Sequence, residues 1–151
     1  MTSSKRFDTR SVESIELEIR RNTVAPLALT RLAIPLLRQS EDPRVVTNVS
    51  AGAIFPLGET PIYTASKFGL RGAMLAIGLD LKARGIHVGS VMPSATDTPM
   101  LRQEVIDGGN SLQFQDPPQH PRAVVASIAR LLDSYRHPTM RVPLLSGPRT
   151  K

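Results

Sequence analysis

The sequence contains no cysteine and no tryptophan, and two tyrosines and four phenylalanines are its aromatic residues. The absence of cysteine excludes disulfide bonds and thiolate metal sites and favours a reducing compartment. The sequence also lacks an apolar run of membrane-spanning length and the pattern of a signal peptide. We therefore expect one globular cytoplasmic domain over residues 1–151, large enough for a hydrophobic core and without a membrane partner.

Acidic residues are outnumbered by basic ones: the sequence has 13 Asp and Glu residues and 19 Lys and Arg residues. The net charge is therefore +6 and the pI is near 10.5. A basic protein raises the question of a nucleic-acid partner. The arginines are scattered, however, and few aromatic side chains are available to stack on bases. We expect a solvated basic surface and no nucleic-acid partner. The histidines His87, His120 and His137 are far apart, which predicts no metal site.

The most informative stretch runs from Ser50 to Lys67. The β-branched run Val45–Val49 before it is typical of a buried strand, and a helix is predicted from about Pro61 to Arg84. Ser50 then follows the carboxyl end of a strand while Tyr63 lies in the first turns of the next helix. In an open α/β sheet, ligands bind at the edge where such positions meet.

Tyr63 and Lys67 are four residues apart, so they share one helical face with Cβ atoms roughly 5–6 Å apart. A nearby ammonium group favours the phenolate, so we expect Lys67 to lower the pKa of Tyr63. The Ser50 hydroxyl is placed to hold a substrate oxygen in front of the phenol. This pattern predicts a proton-transfer site for a carbonyl or an alcohol. The alternative is an ordinary surface pair on an amphipathic helix.

The strand, Ser50 and the sequence Tyr63-Thr-Ala-Ser-Lys67 resemble the active-site segment of the short-chain dehydrogenase/reductase family. The resemblance implies an NAD(P)-dependent oxidoreductase that interconverts a secondary alcohol and a ketone by hydride transfer. It implies that Tyr63 is the acid/base and that Ser50 orients the substrate oxygen. Lys67 would bind the nicotinamide ribose and tune Tyr63, so that Tyr63 and Lys67 are also cofactor-binding residues.

Upstream, residues 1–10 are polar and predict a loose N-terminus. Ser11 is a predicted N-cap of the first helix, and Pro26 predicts a kink or restart of that helix near Asn22. The resemblance implies that Asn22 completes the catalytic group by holding a water near the lysine, although Ala25 stands where the family commonly has glycine. A cap for a restarting helix is the alternative role of Asn22.

Downstream, a second strand over Ile86–Met92 is predicted to end at Pro93. The resemblance implies that Pro93, Thr96 and Thr98 contact the nicotinamide amide and the phosphates. In the alternative reading the threonines cap a loop or a short helix. Ser94 takes the place of the family's usual glycine.

The segment 101–120 contains Gly108-Gly109 and Pro117-Pro118, and the resemblance implies a substrate lid there. A last helix is predicted to open at Pro121. A short third strand is predicted from Met140 to Leu144.

No Gly-x-Gly-x-x-Gly or Gly-x-x-x-Gly-x-Gly occurs, so the turn that binds a pyrophosphate is missing from this sequence. The resemblance then covers only the second half of the family's domain. It predicts a partial Rossmann-like, doubly wound parallel sheet of about three strands with flanking helices. We expect a truncated form, compatible with a fragment, a misannotated start or a functional short form.

The cofactor is expected to be NAD or NADP, which this sequence does not distinguish. The expected partners are a small carbonyl or alcohol substrate and further copies of the chain, as a homo-oligomer. The alternative function, from a different class, is a non-catalytic interaction or scaffold protein derived from the family.

Overall fold

A computed structural model of the chain describes residues 7–58, 60–106 and 117–134. The predicted third strand, Met140–Leu144, lies outside these residues, as does the central part of the predicted lid. In the described part of the chain, no helix combines the length and the apolar character needed to cross a membrane.

The first helical region is irregular where the sequence predicted a kink. Helix α1 (Val12–Ile19) begins at Ser11, whose hydroxyl accepts a hydrogen bond from the Ser14 N–H at 3.2 Å. A π-helical segment (Arg20–Val24) then leads into helix α2 (Ala25–Leu37). Pro26 has no N–H to donate to the Asn22 carbonyl, which disfavours regular α-helical bonding at this point. The irregularity is therefore confirmed, but as a π-helical turn within a continuous helix.

Strands β1 (Arg44–Asn48) and β2 (His87–Val91) form a parallel sheet with Val45 opposite Val88. Helix α3 (Pro61–Lys82) connects them, and Gly85 follows it with φ +73°, the conformation that favours glycine. A Cβ atom on Gly78 would lie 3.5 Å from the Val88 Cβ, so α3 packs closely on β2. The predicted α/β architecture is confirmed, with two strands among the described residues.

The hydrophobic core lies between this sheet and α3. Its buried members are Val49, Ala53, Leu70 and Met74, and the partly buried Leu27, Val45, Ile77, Val88 and Met92 pack against them. Helices α4 (Pro99–Ile106) and α5 (Pro121–Ser134) follow β2. The core thus holds α3 and the ends of both strands in a fixed relation.

Residues 7–10 are the described part of the terminus predicted to be loose, and the looseness of residues 1–10 stays a prediction. Phe7–Thr9 form a 3-10 turn, and the Arg10 side chain is only 4% exposed. Its Nη2 lies 2.7 Å from a carboxylate oxygen of Glu18, a buried residue on α1. The ion pair with Glu18 attaches Arg10 to α1.

The two described ends of segment 101–120 are both ordered. Residues 101–106 belong to α4. At the other end, the Gln119 N–H donates to the Ala95 carbonyl at 2.8 Å and the Asp97 N–H donates to the Gln119 carbonyl at 2.9 Å. The segment is therefore attached to the loop after β2. Its role as a substrate lid stays a prediction.

Candidate active site

The carboxyl ends of β1 and β2 and the first turns of α3 surround one cavity of about 900 Å³. All of the residues predicted to act in catalysis or cofactor binding line it: Asn22, Ser50, Tyr63, Lys67, Pro93, Thr96 and Thr98. Parallel strands expose their carboxyl ends at one edge, which is why segments far apart in the sequence meet here.

Ser50 lies in a loop that is tied to both strand ends. Its Oγ accepts a hydrogen bond from the Gly52 N–H at 3.0 Å, at the start of a 3-10 turn (Ala51–Ala53). The Ala51 N–H donates to the Pro93 carbonyl, in the loop after β2, at 2.8 Å. These bonds fix the position of the Ser50 hydroxyl before any substrate binds.

Gly52 is a site residue that the sequence did not reveal. A Cβ atom there would lie 3.1 Å from the Tyr63 Cε1 atom and 3.4 Å from the Ser50 Oγ. Ordinary carbon–carbon contacts are about 3.5–4.0 Å, so a side chain would crowd the phenol ring. Glycine at this position lets the loop approach Tyr63 closely.

Tyr63 and Lys67 are brought together as their spacing predicts. The Lys67 Nζ lies 5.6 Å from the centroid of the Tyr63 ring. This distance is within the range of a cation–π contact, about 6 Å. The ammonium group therefore contacts the acid/base candidate through the face of its ring.

The pKa of Tyr63 is raised from its ordinary value, chiefly because burial disfavours the phenolate. A hydrogen bond with Ser50 opposes this shift, while the carboxylates of Glu104 and Glu18 add to it. Burial also lowers the pKa of Lys67. The expectation that the neighbouring ammonium sets a lowered pKa for Tyr63 is wrong for this structure, because desolvation of the phenol is the larger effect.

Asn22 is connected to the turn of α3 that carries Tyr63. Its Nδ2 donates to the Ser66 Oγ at 3.1 Å, and the Ser66 hydroxyl donates to the Tyr63 carbonyl at 2.7 Å. The Thr23 hydroxyl donates to the Ser66 carbonyl at 2.9 Å. Ser66 is 1% exposed. The π-helical segment is thus fixed against α3 through a buried serine, and the Asn22 amide bonds across the two helices instead of capping its own.

The threonines after β2 take part in local structure as well as in the cavity wall. The Thr98 Oγ1 accepts a hydrogen bond from the Leu101 N–H at 3.3 Å, and the Thr96 hydroxyl donates to the Ser94 carbonyl at 3.1 Å. No described residue other than glycine has a positive φ, so Ser94 replaces the family's glycine without strain. The capping role offered as the alternative is present at Thr98.

Glu104 is a second cavity residue that the sequence did not reveal. It lies on α4 and lines the same cavity as Tyr63. Glu104 belongs to no sequence motif that we identified. Only the packing of α4 brings it into the same cavity as Tyr63.

The raised pKa of Tyr63 predicts how its phenol ionises. The other tyrosine, Tyr135, lies outside the described residues. We expect the difference between the ultraviolet titrations of the wild type and Tyr63→Phe to show a phenol that ionises above the ordinary value. Since the unfolded chain ionises first, the fold should lose stability as the pH rises through that range. A difference spectrum with a midpoint below pH 10 would contradict this assignment.

A sequence model of the family described as short chain dehydrogenase matches residues 1–107. Among similar proteins, 3-dehydrosphinganine reductase TSC10B of Arabidopsis thaliana is 33% identical over 105 residues, covering 67% of this chain and 31% of that protein. The short chain dehydrogenase adrF of Penicillium rubens is 30% identical over 102 residues, covering 68% of this chain and 40% of that protein. The chain spans about a third of the length of these relatives.

Two solved structures show the same fold at low identity. A 4-hydroxyisoleucine dehydrogenase complexed with NADH matches with a TM-score of 0.74 at 24% identity, over 91% of this chain and 60% of that one. The ligand-free aldohexose dehydrogenase of Thermoplasma acidophilum matches with a TM-score of 0.78 at 20% identity, over 98% of this chain and 68% of that one. The Rossmann-like class predicted for the sheet and its helices is confirmed.

Proposed function

The chain belongs to the short-chain dehydrogenase family, and on this premise we propose that it forms the catalytic part of an NAD(P)-dependent oxidoreductase. The proposed reaction interconverts a secondary alcohol and a ketone by hydride transfer. The observation that carries this proposal is the convergence of Ser50, Tyr63 and Lys67 on one cavity at the carboxyl ends of the strands.

Each side chain has a role that follows from its surroundings. The Tyr63 phenol is protonated at neutral pH and would donate its proton to a ketone oxygen, and its raised pKa makes it a weaker acid than a free tyrosine. The Ser50 hydroxyl, held by Gly52, hydrogen-bonds the same oxygen. Lys67 binds the ribose and carries positive charge beside the phenol ring. Asn22 holds a water near Lys67 while Ser66 fixes its side chain.

The cavity fits the nicotinamide end of a dinucleotide. Tyr63, Lys67, Thr96 and Thr98 place hydroxyl and ammonium groups on its wall, and Pro93 adds an apolar surface and a carbonyl. When bound there, nicotinamide supplies or accepts the hydride. NAD and NADP share this end of the molecule, so the proposal covers both. A glycine-rich pyrophosphate turn is not part of this sequence.

We also propose that copies of the chain associate through α2 and α3. Leu29, Leu32 and Leu36 lie three to four residues apart on one face of α2, and each is 70–72% exposed. Leu75 and Leu79 on α3 are 59% and 78% exposed. Contiguous exposed apolar surface of this kind marks interaction sites. The cytoplasm is the proposed compartment, because a protein without cysteine needs no oxidising environment.

The test compares residues 1–151 alone with a fusion that adds a glycine-rich half-domain. Each sample is titrated with NADPH and then assayed for NADPH oxidation in the presence of a ketone. Residues 1–151 alone should bind NADPH no more tightly than about 1 mM, or about −4 kcal/mol, because most contacts to the pyrophosphate are missing. The fusion should bind more tightly and oxidise NADPH when a ketone is added. Light scattering on the same samples should show particles larger than one chain.

Two results would contradict the proposal. Micromolar binding by residues 1–151 alone would mean that the cofactor is held by other means. A folded fusion that associates but neither binds NADPH nor reduces any ketone would favour the scaffold function.

A further inference from the structure

Two segments of the described chain contribute only apolar residues to the lining of the cavity. The loop before α3 contributes Phe55, Pro56 and Leu57. The residues from α5 have the spacing of a single helical face: Pro121, Val124, Val125 and Ile128. We call these residues of the loop and of α5 the apolar wall. Surfaces of this kind bind the hydrocarbon part of a ligand, while a few polar groups fix its orientation.

Two members of the apolar wall are exposed although they line a cavity. Phe55 is 66% exposed and Val125 is 64% exposed. A single exposed apolar side chain is ordinary on a protein surface. Here, however, two segments that are far apart in the sequence bring such side chains to the cavity that also holds Tyr63. A ligand that covers both side chains gains free energy by removing apolar surface from water.

Hydrogen bonds fix the loop that carries Phe55. The Phe55 N–H donates to the Ala51 carbonyl at 3.2 Å, within the turn that follows Ser50. The Leu57 N–H donates to the Thr64 hydroxyl on α3 at 3.1 Å. The loop is therefore tied to both segments that carry the reacting groups.

Helix α5 is tied to the sheet region at both of its ends. Before its first residue, the Gln119 N–H donates to the Ala95 carbonyl at 2.8 Å. Near its last residue, the Leu132 carbonyl accepts a hydrogen bond from the guanidinium of Arg44, the first residue of β1. The two parts of the apolar wall are thus held in position by the same framework as the reacting end.

The charged residues among the described lining of the cavity belong to other segments. Lys67 lies on α3 against the ring of Tyr63. Glu104 lies on α4 and already has an interaction partner. The apolar wall itself contains no charged residue. A hydrocarbon group suits it better than a charged group, which would lose its hydration there.

We infer that the apolar wall binds the hydrocarbon part of the substrate, so that the site selects ketones or alcohols that carry an extended alkyl group. The inference rests on the proposed function for the reacting oxygen and adds the chemistry of the remainder of the molecule. Phe55 and Val125 are the specificity-determining residues. Small ketones leave these side chains in water and bind weakly.

The test compares methyl ethyl ketone with methyl hexyl ketone, which differ only by methylene groups. Each ketone is titrated into residues 1–151 and followed by nuclear magnetic resonance. A fully buried methylene strengthens binding about fourfold, so on a partly exposed wall methyl hexyl ketone should bind at least roughly tenfold more tightly. This comparison needs neither cofactor nor turnover.

Phe55→Ala should weaken the binding of methyl hexyl ketone by roughly threefold or more, because it removes apolar contact area. Val125→Asp should weaken it at least as much, because it places a carboxylate beside the alkyl chain. The binding of methyl ethyl ketone should change little in either variant. Both positions are exposed, so neither change disturbs the hydrophobic core.

Phe7→Ala and Val12→Asp are the matched controls, because they make the same changes at side chains that are 60% and 65% exposed but do not line the cavity. They should leave both affinities unchanged. Equal affinities of the wild type for the two ketones would overturn the inference, as would no binding of either ketone. A loss in Phe55→Ala no larger than that in Phe7→Ala would also overturn it.

Failure of the inference and failure of the proposed function give different results. Chain-length-dependent binding that responds to Phe55→Ala, together with a folded fusion that reduces neither ketone, would support the inference and contradict the proposed reaction. A fusion that reduces both ketones with equal kcat/KM would support the reaction and overturn the inference.

Discussion

Replacing Tyr63 with phenylalanine is expected to lower the rate of ketone reduction by about 10²–10⁴-fold in the fused, cofactor-binding form, as is typical for the loss of a general acid. The change removes only the hydroxyl. The ring that packs beside Gly52 and under the Lys67 ammonium group stays. Cofactor affinity should therefore stay close to that of the wild type. Single-turnover rates at saturating NADPH measure the chemical step directly.

Tyr135→Phe is the matched control, since it removes the only other phenol of the sequence. It should turn over at the rate of the wild type. If Tyr63→Phe stays within a few-fold of the wild type under these conditions, the proton comes from another group. A large loss in cofactor affinity instead of rate would assign Tyr63 to binding alone.

Replacing Arg10 with methionine is expected to destabilise the fold by roughly 3–5 kcal/mol, because it leaves the buried carboxylate of Glu18 without its counter-charge. The side chains of the pair are 4% and 6% exposed. Among the described residues, neither oxygen of Glu18 accepts an aligned hydrogen bond, so its compensation is the charge of Arg10. The Arg10 guanidinium also bonds to Ser14, through its hydroxyl and its carbonyl, both at 3.2 Å. Urea unfolding at neutral pH gives the free energy.

Arg102→Met is the comparison variant, because Arg102 and Asp97 form an exposed pair with side chains 68% and 44% exposed. Its loss should lower the free energy of unfolding far less than the loss of Arg10 does, because solvent screens an exposed pair. The double variant Arg10→Met/Glu18→Met should recover much of the stability, since no charge is then left buried. If Arg10→Met and Arg102→Met cost the same, the Arg10 pair is effectively solvated and the terminal segment contributes little.

Much of this fold follows from short-range patterns in the sequence. The run Val45–Val49 predicted β1 to within one residue, and the helix expected from about Pro61 is observed as Pro61–Lys82 with Gly85 just beyond. Ser11 caps the first helix as expected, and Pro26 marks its irregularity. Each of these features depends on neighbours within one or two turns, which the sequence displays directly.

The proximity of Tyr63 and Lys67 is of the same local kind, because one helical turn joins them. That Ser50 lies beside them follows from the strand–helix order and the common edge of an open sheet. The sequence by itself therefore determined the family and the fold class, and it identified Ser50, Tyr63 and Lys67, which line one cavity.

Only the tertiary structure decided the environment of those residues. Asn22 and Ser66 are 44 positions apart, and Glu104 reaches the cavity of Tyr63 from another helix, so no local pattern relates them. The direction of the Tyr63 pKa shift also could not be predicted from the sequence. The sequence shows the neighbouring Lys67 ammonium group but not the burial of the Tyr63 phenol. Desolvation depends on every group packed around the phenol, and that packing exists only once the chain has folded.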